Sequence, residues 1–220
     1  MIREQRQEAS RRRILEVSAD LFFEHGYSGT RVEMICERLG VTKPSVYWYY
    51  RGKTAIFDAV SLEAGRITLR SFSDLPADLV PARRLALGLW TCAENHVTHF
   101  KAGTLYYREP GGLSAAARAE IEQMSDRFYA DLIGLLRHAV AERAIPEQDV
   151  DVTAHAIGGI IGFMYVWYKP RGRLNPRDMT TELTRTMLRT AGAPDVDELV
   201  EAVSRCLPSG PQASGAQPDR

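Results

Sequence analysis

Apolar residues recur at three- and four-residue intervals through almost all of this 220-residue chain. That is the period of a helix with one face turned to a core. No alternating run bounded by turn residues interrupts it, so the expected fold is all-α, without a sheet. Ile14, Leu15, Ser18, Ala19 and Phe22 share a face of a first helix, from about Ser10 to His25, with Gly26 as its stop. A second helix is expected from Thr30, because Thr30-Arg31-Val32-Glu33 has the spacing of a capping box. Val32, Ile35, Cys36 and Leu39 form its apolar stripe and Gly40 ends it. Thr42 is then placed to cap a short third helix with Pro44 in its first turn. A fourth helix is expected from about Lys53 to Phe72.

A break from Asp74 to Pro81 divides the chain. Beyond it, Pro81 opens a helix to about Lys101, ended by Gly103, and a helical turn around Leu105 to Arg108 precedes Pro110-Gly111-Gly112. Ser114 caps a long helix to about Arg143. Asp149 starts another, to about Tyr168, and Asn175-Pro176 opens one that runs to Ala191 with Gly192 as its stop. A weaker helix is expected over Val196 to Cys206. Residues 208–220 are rich in Pro, Gly, Ser and Gln and are expected to be a disordered tail. The expected domains are a basic arm with a first helical unit over 1–53, a connecting helix over 54–75, and a helical bundle over 76–207.

Helix, glycine-containing turn and short helix over residues 30–50 form a helix-turn-helix pattern, whose second helix enters the major groove. Lys43, Ser45, Tyr47, Trp48 and Tyr49 crowd donors and aromatic faces onto that short helix. Thr42, Lys43, Tyr49 and Lys53 are placed to hold phosphates, which positions a protein without reading sequence. Pro44 and Ser45 are small enough for close approach to base edges. A core aromatic cluster is the competing reading, and Val46 and Tyr50, which continue the buried stripe, are expected inside.

The formal net charge is zero, with 28 basic and 28 acidic side chains. A nucleic-acid partner normally leaves a basic footprint. The total hides a gradient: residues 1–13 carry five Arg against two Glu, and residues 1–53 carry ten basic against seven acidic side chains. The basic excess therefore sits on the unit with the helix-turn-helix pattern, and the rest of the chain is acidic.

Other classes find little support. Cys36, Cys92 and Cys206 are odd in number and widely spaced, and read as small core hydrophobes. His96 and His99 stand three apart, a spacing open to a metal pair, without acidic ligands at fitting spacing; a helical metal-dependent enzyme is the weakest reading. No phosphate-binding glycine loop, nucleophile elbow or zinc-protease motif occurs. No cofactor and no catalytic residue are expected. The longest uninterrupted apolar run, Ile157 to Tyr168, is short of the roughly 20 residues of a membrane span, and no signal-peptide pattern opens the chain. A cytoplasmic protein with no membrane partner is the expectation.

The stretch RRRILEVSADLFFEHGYSGTRVEMICERLGVTKPSVYWYYRGKTAIF resembles the DNA-binding domain of TetR-type transcriptional regulators. The likeness lies in Phe22 to Tyr27, Thr30, Ile35-Cys36, Gly40-Val41-Thr42, Tyr47 to Tyr50 and Lys53. It implies DNA contacts by Thr30, Arg31, Thr42, Lys43, Pro44, Ser45, Tyr47, Trp48, Tyr49 and Lys53. Arg31 stands where a second Thr is common, and Cys36 replaces Ala.

The resemblance also implies a C-terminal domain that binds a small molecule and forms a homodimer. Trp90, His96, Tyr106, Tyr107, Phe128, Tyr129, Phe163 and Trp167 are the candidate ligand residues, large side chains on helices that would surround one cavity. Gly158, Gly159 and Gly162, with Met179, Leu183 and Met187, are the candidate dimer residues. The link Trp167-Tyr168-Lys169-Pro170-Arg171-Gly172-Arg173-Leu174 resembles one branch, whose members repress lipid and steroid breakdown and sense acyl-CoA thioesters. Arg83, Arg84, Lys101 and Arg108 are then candidates for CoA phosphates. The implied function is a repressor released by such a ligand from pseudo-palindromic double-stranded operator DNA. The alternative is a regulator of an efflux or detoxification operon that senses an aromatic or lipophilic compound.

Overall fold

The computed structural model describes residues 2–206. Among them are eleven α-helices, one 3-10 turn and no strand. The helices are α1 (Ile2–Gly29), α2 (Val32–Leu39), α3 (Lys43–Tyr47), α4 (Lys53–Thr68), α5 (Pro81–Thr98), α6 (Phe100–Arg108), α7 (Ala115–Ala141), α8 (Val150–Gly162), α9 (Met164–Trp167), α10 (Pro176–Thr190) and α11 (Val196–Cys206). The 3-10 turn, Pro110–Gly112, lies between α6 and α7. The expected tail lies outside the described residues.

Punctuation by small and capping residues accounts for most boundaries. Gly40 adopts φ 67° at the end of α2. The Gly40 and Val41 N–H groups close back on the Glu37 and Cys36 carbonyls, as a left-handed stop requires. Ser114 Oγ accepts from the Ala117 N–H, Asp149 from Asp151 and Val152, and Asn175 from Asp178. Gly192, at φ 69°, ends α10.

Five expectations are corrected. The first helix begins well before Ser10, and Gly26 (φ 71°, ψ 171°) kinks it before Gly29. Thr30 makes no capping box: α2 is capped at Arg31 without a side-chain bond, and the buried Thr30 hydroxyl bonds the Leu21 and Gly26 carbonyls. The fourth helix stops at Thr68, short of Phe72. Gly103 does not end a helix; the break falls at His99, and Gly103 lies inside α6, packed against Thr68. The helix expected to reach Tyr168 divides at Phe163 into α8 and α9.

Two apolar cores result. The first joins Ile14, Leu15, Phe22, Val32, Ile35, Cys36, Val46 and Tyr50 to Ile56, Phe57 and Val60 of α4. The second is built on α5, α7, α8, α10 and α11, with Leu85, Leu89, Leu132, Leu136, Ile157 and Met187 at its centre. Leu105 of α6 belongs to the first core, although its helix is flanked by elements of the second. The 3-10 turn repeats that intrusion: a Cβ on Gly112 would lie 2.8 Å from Tyr27 Cγ and 3.0 Å from Phe57 Cε1. Tyr27 and Phe57 pack edge to face with ring centres 5.0 Å apart. Gly112→Ala is therefore expected to lower stability by about 1–3 kcal/mol through overpacking, read as a fall in denaturant midpoint. An unchanged midpoint would mean that the turn is not seated between the two rings.

Candidate DNA-binding face and effector cavity

The short helix α3 is divided cleanly between inside and outside. Val46 is fully buried and Tyr50 nearly so, its hydroxyl accepting from Arg11 Nε at 3.2 Å. These two anchor the segment to α1 and α2. Thr42, Lys43, Pro44, Ser45, Tyr47 and Trp48 remain exposed on one surface, Trp48 at 65%. Tyr49 is half-buried and meets Trp48 edge to face at 4.6 Å. Thr42 bonds Ser45 hydroxyl to hydroxyl at 2.9 Å, so two candidate contacts pre-position each other. Arg31 is exposed at the start of α2, and Arg12 and Arg13 are exposed on α1.

Two candidates are placed differently. Thr30 is in the core and presents no side chain to a ligand. Lys53 donates to the Tyr27 carbonyl at 2.8 Å and lies over the Tyr27 ring, 4.4 Å from its centre. It ties α4 to the end of α1, so its first role is to hold the helix-turn-helix in place. Lys43, by contrast, pairs with Glu33 of α2. The ammonium beside it holds the Glu33 carboxyl below its ordinary range. Both groups are exposed, so the pair is weak and salt-sensitive. Glu33→Gln is expected to release Lys43 and to raise affinity for DNA about two- to fivefold at low salt. Fluorescence anisotropy checks it; a loss of affinity would mean that Glu33 holds Lys43 in its working position.

In the C-terminal half, the candidate ligand residues do not form one cavity. Trp90, Tyr106 and Phe128 are buried in the core. Tyr106 donates to Thr68 Oγ1 at 3.2 Å, since Thr68 is itself committed as donor to the Ala64 carbonyl. Tyr129 stacks on His155 and closes over Gly158. Phe163 and Trp167 are 60% and 49% exposed. His96 and Tyr107 are brought together at a slot of about 10 Å³. Thr68, Phe100, Gly103, Thr104, Ile161, Gly162 and Met164 complete it, and none of its lining residues is charged. That volume suits about one water molecule. Lys101 pairs with Asp20, and the Arg108 guanidinium lies 5.1 Å from the Phe23 ring centre. Two of the four candidate CoA contacts are thus engaged between the two halves.

The candidate dimer residues are also redistributed. Met179, Leu183 and Met187 are core residues facing α5, and Gly158 lies under Tyr129. Gly159 is open, with nothing within 4 Å of a built Cβ. It lies on a stripe with Val152, Ala156, Phe163, Val166 and Trp167, all exposed. The window Val150–Trp167 has a mean hydropathy of 1.3, enough by length and composition for a membrane span. Its apolar residues are split between the core and this stripe, and Phe163 interrupts the helix. Sequence reasoning misses the stripe because the helix is apolar on several faces, so periodicity cannot say which one packs at home.

Residues 14–60 match the family described as bacterial regulatory proteins, tetR family, and residues 78–191 match the tetracyclin repressor-like C-terminal domain. The HTH-type transcriptional regulator SrpR of Pseudomonas putida is 27% identical over 165 residues, 72% of this chain and 75% of SrpR. The TetR family regulator PfmR from Thermus thermophilus shares the fold with a TM-score of 0.73 and 24% identity, over 80% of this chain and 97% of PfmR. AibR, solved with isovaleryl coenzyme A and operator DNA, shares it with a TM-score of 0.65 and 22% identity, over 80% of this chain and 96% of AibR.

Proposed function

The chain belongs to the TetR family of DNA-binding transcriptional regulators, and from that premise we propose that it is a homodimeric repressor released from its operator by a small molecule. Members of this family are not enzymes. The observation that carries the proposal is the double attachment of α6. Its Leu105 is fully buried in the DNA-binding core, while its Gly103, Thr104 and Tyr107 line the slot beside His96. Widening the slot from the α6 side moves a helix whose Leu105 sits in the other core and which leads into the turn at Gly112, seated against Tyr27 and Phe57. Ser114 N–H donating to Asp58 Oδ1 at 3.0 Å, and the Lys101–Asp20 pair, add further links. Ligand and operator then favour different settings of α6, and each weakens the other, by about 1–3 kcal/mol in typical cases.

On this reading Thr42, Lys43, Pro44, Ser45, Tyr47 and Trp48 meet DNA, supported by their shared exposed surface. The α8 stripe forms the dimer, which sets two such surfaces roughly 34–36 Å apart for a pseudo-palindrome. Two effector readings stand. A CoA thioester is favoured by the Trp167–Leu174 link and by the ligand in the AibR structure. A neutral aromatic or lipophilic compound is favoured by the uncharged lining of the slot.

The test is binding of the full chain to DNA from its own promoter region across a salt series. Log affinity is expected to fall linearly with log salt, with a slope of about −0.9 per phosphate neutralised. Affinity that ignores salt, or no binding to that DNA at any salt, would end the repressor reading.

A further inference from the structure

His96 is buried on α5, and its Nδ1 lies 2.8 Å from the Cys92 carbonyl one turn back. A carbonyl only accepts, so Nδ1 carries the proton in that bond. Nε2 of the neutral ring is then a bare acceptor. It sits at the edge of the ring away from the α5 backbone, buried and without a partner. A buried acceptor without a donor is costly, and it is uncommon enough in folded proteins to require an explanation. Burial lowers the His96 pKa to about 4, which keeps the ring neutral near pH 7.

The surroundings say what the missing donor belongs to. Lysine, arginine, aspartate and glutamate are all absent from the lining of the slot. Phe100, Ile161 and Met164 supply apolar wall, the Thr68 and Thr104 hydroxyls are committed as donors to the Ala64 and Lys101 carbonyls, Tyr107 adds a third hydroxyl, and Gly103 and Gly162 leave space where side chains would stand. It lies where two helices are interrupted, at His99 between α5 and α6 and at Phe163 between α8 and α9. Tyr107, exposed at 40% and stacked on Tyr165 with ring centres 6.2 Å apart, covers its outer side. Enlargement therefore needs only short segments next to existing breaks to shift.

We propose that the effector is a small, uncharged, largely apolar molecule bearing a hydroxyl group, which it donates to His96 Nε2 in the slot between α5, α6 and α8. This inference rests on the effector-controlled reading above and narrows it. The acyl part of a simple thioester has a carbonyl acceptor and no donor, and would leave Nε2 unpaired. A phenol or an alcohol replaces the single water that the slot now has room for, and satisfies the ring.

The experiment uses the full chain and three isosteric pairs: phenol with toluene, 4-ethylphenol with 4-ethyltoluene, and 2-naphthol with 2-methylnaphthalene. Binding is read by calorimetry and by protection against thermal unfolding. At least one hydroxylated probe is expected to bind about tenfold or more tightly than its methyl partner. His96→Leu is expected to abolish or invert that ratio. Gly162→Ala, whose new methyl would stand 3.7 Å from the Tyr107 hydroxyl without clash, is expected to weaken the same probe several-fold while the chain still melts cooperatively. This second variant keeps the test decisive if His96→Leu fails to fold. Equal affinities within every pair, a ratio that persists in His96→Leu, or no binding by any phenol would overturn the proposal. The operator complex separates the two levels. Release by isovaleryl coenzyme A, with no phenol bound, would refute the hydroxyl class and leave the effector reading intact. Discrimination at His96 with no effect of any probe or of isovaleryl coenzyme A on DNA would support the site and sink the effector reading.

Discussion

Phe163→Glu is expected to convert the proposed dimer to a monomer and to weaken operator binding by about two to four orders of magnitude. Phe163 is 60% exposed, on the open side of the break between α8 and α9. It continues the stripe of Val152, Ala156, Gly159, Val166 and Trp167. A contiguous apolar patch of this kind marks an interaction surface. Gly159, with nothing within 4 Å of a built Cβ, lets a facing helix come close. Placing a carboxylate there puts an unpaired charge, duplicated by symmetry, into the centre of the proposed contact, while the chain itself loses only an exposed ring that meets Tyr165 at 5.7 Å. The effect on DNA follows from arithmetic and not from any change at α3. Two linked half-site contacts exceed one by the effective concentration of the second, typically a factor of about 10²–10⁴. Sedimentation velocity reads the assembly and anisotropy reads the DNA. A variant that remains dimeric would place the interface elsewhere.

Tyr47→Ala is expected to reduce operator affinity roughly 30- to 20,000-fold in the proposed dimer, from a loss of about 1–3 kcal/mol at each of two half-sites. Tyr47 is 46% exposed, and its removal leaves Val46 and Tyr50, which hold α3 to the core, untouched. Stability and dimerisation should therefore stay as they are. Val46→Ala supplies the contrast. Val46 is fully buried, so that variant should lower the unfolding midpoint and affect DNA binding only through the folded fraction. If Tyr47→Ala unfolds the domain while retaining affinity per folded molecule, the ring is a packing residue and the α3 surface is not the DNA contact.

The helices themselves are legible because helix formation depends on near neighbours. Gly40, Ser114, Asp149, Asn175 and Gly192 act within one turn of where they stand, and each ends or starts a helix where its chemistry requires. Thr30 shows the limit. Its spacing to Glu33 is that of a capping box, yet its hydroxyl is drawn to carbonyls of α1, a tertiary partner that spacing cannot reveal. Gly103 fails for a related reason. Glycine usually stops a helix by taking a left-handed conformation, but here it stays inside α6, where Thr68 of α4 packs close, 3.2 Å from a Cβ built at that position.

The same distinction governs the sites. The exposed surface of α3 could be anticipated because the alternatives were few: Val46 and Tyr50 continue the buried stripe, so their neighbours must face out. Around the bundle every large side chain had several possible destinations. Met179, Leu183 and Met187 form a stripe at helical spacing that would serve a partner chain or its own α5 equally well, and α5 took them. Phe163 and Trp167 could have been buried and are instead exposed. By itself, then, the sequence determined the all-helical class, most helix ends and the helix-turn-helix with its basic excess, since these follow from period, capping and local charge. Only the tertiary structure decided which apolar stripe is left for a partner, that α6 belongs to both cores, and that His96 keeps an unpaired nitrogen beside a slot the size of one water. Those depend on which helix packs against which, a competition among many nearly equivalent apolar faces that is settled by shape and not by spacing.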